Sequence, residues 1–244
     1  MILPFRMLHE ESGRPERLEL DIRFADGRWM SEQAILDSLR PIDIWTAVAV
    51  RGGMSGDLVA PPLSGVSPAT RLIRDVAVEY EFTDVRLDPR CLMVLQNVLH
   101  SIHLSGAELD NVVIRSGMSQ RFLSWLGEFP PAFIPAPFEF QYEATYRQVW
   151  VEIELEDEAQ GQELDKLESL VRLFGDLCAN RGYAEPGSLP GPGYLYIETA
   201  ERFSDMLRVS MQRRQSSDFA FDALVNLVHA AQGNELRVSA VRVM

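Results

Sequence analysis

Leu95-Gln96-Asn97-Val98-Leu99-His100 and Leu224-Val225-Asn226-Leu227-Val228-His229 are one pattern met twice: leucine, any residue, asparagine, two aliphatics, histidine. The two stretches lie 129 positions apart in a chain of 244 residues that holds only four histidines, so chance is a poor explanation. An internal repeat decides how everything else is read. Carried outward, the offset finds more matches. Leu18, Leu20, Ile22 and Phe24 alternate with Glu19, Asp21 and Arg23, the period of a half-buried strand. The offset lands on 147–153, where Val149, Val151 and Ile153 alternate with Trp150 and Glu152. Val76, Val78, Tyr80 and Phe82 form another alternating stretch, with Leu207, Val209 and Met211 as its image. Val112 and Ile114 map onto Val241 and Val243.

Between these matches the halves read differently. In the first, a short helix over 31–39 is expected to stop at Pro41, followed by a strand over 42–50 and a long loop over 51–70. In the second, Leu164, Leu167, Val171, Phe174 and Cys178 form one stripe of a long helix over about 158–180. A loop over 182–193 and a strand over 194–199 follow. Each half then reads β-α-β-β-α-β. The expected fold class is α+β: a tandem duplication of a ferredoxin-like (βαββαβ) unit, with antiparallel sheets covered by helices on one face. The organisation is a first repeat over 1–118, a connector over 119–145 and a second repeat over 146–244. Asp88 before Pro89, and Ser217 or Asp218, are the expected helix caps. Gly106 and Gly233 are the expected left-handed stops.

The connector carries four prolines and four phenylalanines between Phe129 and Phe140. The prolines stiffen it, and leaving the phenylalanines in water is costly, so it should dock on the repeats. A short helix over 119–126, with Phe122, Trp125 and Leu126, is expected to dock with it.

No apolar run approaches the roughly 20 residues that span a bilayer. The N-terminal Met1-Ile2-Leu3-Pro4-Phe5-Arg6 is too short for a secretory core, so a cytoplasmic protein with no membrane partner is expected. Cys91 and Cys178 lie among aliphatics inside helices, which suits small core residues in a reducing compartment. The net charge of −13 argues against nucleic acid, and Arg213-Arg214 is too small a basic cluster to reverse it.

Motifs for catalysis are missing. There is no P-loop lysine, Rossmann glycine pattern, G-x-S-x-G or H-E-x-x-H. His100 and His103 are three apart, a spacing that can put two imidazoles on one metal. The image of His103 is Gln232, and no third ligand is singled out, so no metal, cofactor or catalytic residue is expected. Asn97 with His100, and Asn226 with His229, project from the flank of their helices. They are read either as helix-end features or as parts of an interface between the copies.

The remaining constellation is acidic. Glu19, Asp21, Glu79, Glu81, Glu152, Glu154 and Glu156 fall on the strand faces turned away from the helices, with Arg208 and Arg237 expected on the same face of the second sheet. Such faces suit a protein-binding module, an immunity protein or stoichiometric inhibitor of a basic partner. The alternative is a small-molecule or haem-binding enzyme with a sheet-lined site near His100, His103 and His229. Fused ferredoxin-like pairs occur both in haem proteins resembling chlorite dismutase and in bacterial accessory or immunity proteins, and architecture alone does not choose. Oligomeric state is not legible.

Overall fold

Alternation along the chain becomes two mixed sheets in the computed structural model. It describes residues 6–11, 17–25, 31–52, 72–74, 77–83, 89–117, 138–143, 147–156, 161–184, 195–214, 216, 219–232 and 236–244. The strands of the first half are β1 (Arg6–Glu11), β2 (Arg17–Phe24), β3 (Leu72–Arg74), β4 (Ala77–Thr83) and β5 (Leu109–Ser116). Those of the second are β6 (Glu139–Tyr142), β7 (Gln148–Leu155), β8 (Leu195–Arg202), β9 (Met206–Arg213) and β10 (Val238–Val243). The first sheet runs β1-β5-β2-β4-β3 and the second β6-β10-β7-β9-β8. Each is antiparallel except at one edge, where β1 lies parallel to β5 and β6 parallel to β10. The fold is α+β with two sheets, but the sheets are not purely antiparallel and each has five strands where four were expected. Three strands fall where none was expected, and all are edges: β1 follows the N-terminal residues, β3 takes the place of the strand expected over 42–50, and β6 is cut from the proline-phenylalanine connector.

The strand expected over 42–50 is a helix. α1 (Glu32–Ser38) starts at Ser31, whose hydroxyl accepts from the Ala34 N–H at 3.2 Å. α2 (Arg40–Val50) follows at once, with Pro41 in its first turn, where the missing N–H costs nothing. Pro41 therefore breaks one helix into two pieces instead of ending it. Ile42, Trp45, Val48 and Ala49 are buried at helical spacing. Trp45 donates its indole N–H to the Cys91 carbonyl at 3.0 Å and meets Phe82 edge-on. Residues 32–50 thus answer to the second-half helix α4 (Gly161–Ala179), 129 positions on. α3 (Pro89–Leu104) answers likewise to α5 (Phe219–Ala231).

Hydrogen-bond register refines the offset. Ile22 pairs with Val78 and Val112, and Ile153 with Leu207 and Val241. Val78 and Val112 answer to residues 129 on, but Ile22 answers to a residue 131 on. The first strand is displaced by two residues, a step that preserves which face each side chain takes.

α2 packs against both α3 and α4, and α4 packs against α5, so the helices lie in the order α3-α2-α4-α5. The buried side chains of both halves form one continuous hydrophobic cluster. Phe138, the last connector residue before β6, is buried in it. The helix expected over 119–126, the prolines over 130–137, the loop over 53–70, and Asp88, Ser217, Asp218 and Gly233 lie outside the described residues.

Candidate functional site

Two regions gather the residues singled out by sequence: the seam between the halves and the outer faces of the sheets. At the seam the chain leaves α2 through Gly52 and α4 through Arg181. Both adopt left-handed backbone, φ +83° and +64°, and both return an N–H to the preceding turn: Gly52 to the Ala49 carbonyl, Arg181 to that of Cys178. Gly52 and Arg181 are again 129 apart. A left-handed arginine is strained where glycine is not.

Each turn docks on the opposite half. A Cβ built on Gly52 would lie 3.0 Å from the Ala230 Cβ in α5. The turn after α4 meets α3: Asn97 is buried and donates its amide to the carbonyls of Gly182 at 3.0 Å and Ala184 at 3.3 Å. Asn97 is therefore an interface residue between the halves, one of the two roles its repetition suggested. His100, one turn on, is 9% exposed. Burial, then the Arg181 guanidinium, then His103 hold its imidazole below the usual histidine range. Read from sequence on the flank of its helix, it is enclosed. Arg181 is itself only 5% exposed. Tyr183 is buried against Phe174, its phenol pushed up by burial and then by Cys178 and Cys91, one cysteine from each half.

Of the three histidines of the small-molecule alternative, His100 and His103 are electrostatic neighbours on α3. His103 accepts the Leu109 N–H on Nδ1 at 3.0 Å, closing the turn into β5. His229 lies on α5 of the other half, edge-on to Phe138, and burial alone lowers it. The fourth, His9, faces Gln96 at 3.2 Å. No group of three or more metal-ligating side chains occurs among the described residues. None of the helices among the described residues is long and apolar enough to cross a membrane.

On the outer faces, alternation places Glu19, Asp21, Glu79, Glu81, Glu152 and Glu154 as read from sequence, opposite the buried positions of β2, β4 and β7. Glu156 lies beyond the end of β7, and Arg237 turns to Glu163 of α4 at 3.7 Å instead of joining the sheet face. Arginines cross most of these carboxylates. Arg17 pairs with Glu81, and Arg115 pairs with Glu10 at 2.7 Å and reaches Glu19 at 3.9 Å. In the second sheet Arg208 holds Glu152 at 2.7 Å, and Arg242 makes a two-pronged contact with Glu154.

One row differs sharply between the sheets. Across the second runs Arg242–Glu152–Arg208–Glu201, alternating in sign. The same places in the first hold Val113–Asp21–Glu79. Asp21 and Glu79 are direct cross-strand neighbours of like charge, and among the described residues neither joins an ion pair. Sequence alternation found these carboxylates. Which arginines neutralise which of them depends on strand pairing, which a single strand does not display.

No family model matches the chain, and no curated protein matches it. Among solved structures it is similar to a chain of complex III2 from Candida albicans with Inz-5 bound, at 8% identity over 93% of this chain and 78% of that one, TM-score 0.23. It is also similar to the first half of the periplasmic protease PqqL from Escherichia coli, at 8% identity over 87% and 67%, TM-score 0.27. A protease from Helicobacter pylori gives 7% identity over 87% and 73%, TM-score 0.25. Likeness at this level transfers neither fold nor activity.

Proposed function

We propose that this chain is a cytosolic protein-binding module, two copies of one ferredoxin-like βαββαβ unit each widened by a parallel edge strand, and that the outer face of its first sheet receives a basic partner. The observation that carries the reading is the Asp21–Glu79 pair, two opposed carboxylates that, among the described residues, no arginine pairs with. Like charges directly across a strand pair are unfavourable in isolation. A cationic side chain arriving between them relieves that repulsion and gains charge-assisted hydrogen bonds, while the net charge of −13 steers encounter. Glu19 and Glu81 lie in the next row on one side and extend the acidic area, and Arg23, two residues along β2 on the same face, borders it on the other. Glu152 and Glu154 already have internal partners and contribute the framework of the second sheet. An immunity protein or stoichiometric inhibitor of a basic enzyme, such as a nuclease, is the concrete form.

Titration calorimetry against a panel of purified basic nuclease domains tests this. A binder is expected whose affinity drops by about tenfold or more in Asp21→Lys/Glu79→Lys. Glu154→Lys is expected to change it by less than about threefold, because that carboxylate is spoken for. Equal losses in both variants, or no salt dependence, would remove the first sheet from the proposal.

A further inference from the structure

The outer face of the second sheet holds a cluster that the acidic reading does not use. Trp150 lies on β7, the central strand, and keeps 37% of its surface exposed. Its neighbours across the sheet are Met244, paired with it through two backbone hydrogen bonds, and Ser210. Two residues back along β7, about 6.5 Å away on the same face, stands Gln148. Four polar side chains there lock one another. Gln148 donates to the Ser210 hydroxyl at 3.3 Å and to one Glu198 oxygen at 3.4 Å. Ser210, 2% exposed, donates to that oxygen at 3.2 Å. Gln212 donates to the other at 2.6 Å.

The chemistry of this cluster is specific. Glu198 is held by neutral donors, whereas Glu152, Glu154 and Glu168 are all held by arginines. Gln212 donates once, which leaves its carbonyl oxygen and second N–H in place as an acceptor–donor pair, while the two donations of Gln148 leave its carbonyl oxygen as an acceptor. Nor does the scaffold require the set. By strand register Gln148, Trp150 and Ser210 answer to Arg17, Glu19 and Glu81 of the first sheet, where an ion pair fills the space. The arginines bordering it are engaged: Arg208 with Glu152, Arg242 with Glu154, and Arg214 lies over the Tyr196 ring at 5.6 Å.

From this geometry we infer that the Trp150 face is a binding platform for a neutral saccharide. The apolar face of a pyranose ring packs on the indole, and neighbouring hydroxyls, each a donor and an acceptor, meet the Gln148 carbonyl and the paired groups of Gln212. Pre-organisation by the Glu198–Ser210 network lowers the ordering cost of binding. A nucleotide would stack on the same indole but bring phosphate against Glu198, which no arginine neutralises among the described residues, and an acidic glycan would meet the same repulsion. This inference does not depend on the first-sheet proposal.

The test is calorimetric titration of the full chain with neutral hexasaccharides of glucose, N-acetylglucosamine and xylose, with heparin and oligogalacturonate fragments alongside. At least one neutral hexasaccharide is expected to bind. Trp150→Ala, and separately Gln148→Ala/Gln212→Ala, should each weaken it about tenfold or more with thermal midpoints retained. Asp21→Lys/Glu79→Lys should leave it unchanged, which separates failure of this site from failure of the first-sheet proposal. Binding that persists in Trp150→Ala, that is confined to the acidic fragments, or that is absent for every neutral sugar at millimolar concentration overturns the inference.

Discussion

At the end of α2 the chain turns through a glycine, and 129 residues later, at the end of α4, it makes the same left-handed turn through an arginine. On the outer faces, Asp21 stands between Val113 and Glu79, while Glu152 in the matching place stands between Arg242 and Arg208. Backbone pairing is held constant across these comparisons and side-chain chemistry is not. The shared part is what hydrogen-bond register and core packing demand. The unshared part is where each half is free to do something of its own, and the second half, with its neutralised charge row, has room for a tryptophan that the first lacks.

The largest effects are expected at the seam. Gly52→Ala adds a methyl 3.0 Å from the Ala230 Cβ at a residue with φ +83°, so steric crowding joins the left-handed penalty. A loss of about 2–4 kcal/mol is expected, read from the urea midpoint. Gly106→Ala is the control: φ is +100° but nothing lies within 4 Å, so only the backbone term of about 1–2 kcal/mol should appear. Asn97→Ala should cost about 1–3 kcal/mol, because the Gly182 and Ala184 carbonyls lose a buried donor. Equal losses for the two glycine variants would mean that the α2 turn does not press on the second half.

How much of this was legible depends on the type of signal. The repeated hexapeptide and the alternating strands gave an offset that the helices and three pairs of matched strands follow. The displacement of the first strand is silent along the chain because a shift of two residues leaves the in-out pattern intact, and only cross-strand pairing reveals it. The α2 segment reads as a strand because Ile42, Ile44, Thr46, Val48 and Val50 are β-branched residues at alternate positions behind a proline. Burial of Ile42, Trp45 and Ala49 against α3 and α4 overrides that local preference. β1 and β6 are short edges whose pairing comes wholly from a distant strand. The carboxylates of the candidate faces were visible as an alternation. Trp150, Gln148, Glu198 and Gln212 come from three strands, and no local pattern joins them.

Next in size is a contrast of sign. Glu152 is enclosed, its side chain 14% exposed, and bonded to Arg208 at 2.8 and 2.7 Å. Glu152→Lys puts three cations in a row and should destabilise by about 1–3 kcal/mol. Asp21→Lys turns the matching row from two like charges into an opposite pair, and should be neutral or stabilising by up to about 1 kcal/mol. Chemical denaturation of both variants in low and high salt reads this directly. If Asp21→Lys destabilises as much as Glu152→Lys, the two faces are not electrostatically different, and the uncompensated row is lost as a basis for partner binding.

The smallest effect compares His100 with His229, the two histidines of the repeat. Both are held below the usual histidine range, His229 by burial alone and His100 by burial, Arg181 and His103. A histidine whose folded pKa is depressed binds its proton more readily when unfolded. Its contribution is therefore fully present above the ordinary value of about 6.5 and declines as pH falls below that, down to the folded pKa. The urea midpoint of the native chain should drop between pH 7.5 and 5.5. His100→Gln should flatten that slope, and His229→Gln should flatten it less, since no neighbouring cation adds to its burial. Carboxylates that arginines stabilise, such as Glu168, lose their contribution only at lower pH and stay out of this window. A slope that is unchanged in His100→Gln but flattened in His229→Gln would reverse the assignment and place the more sensitive proton site on α5.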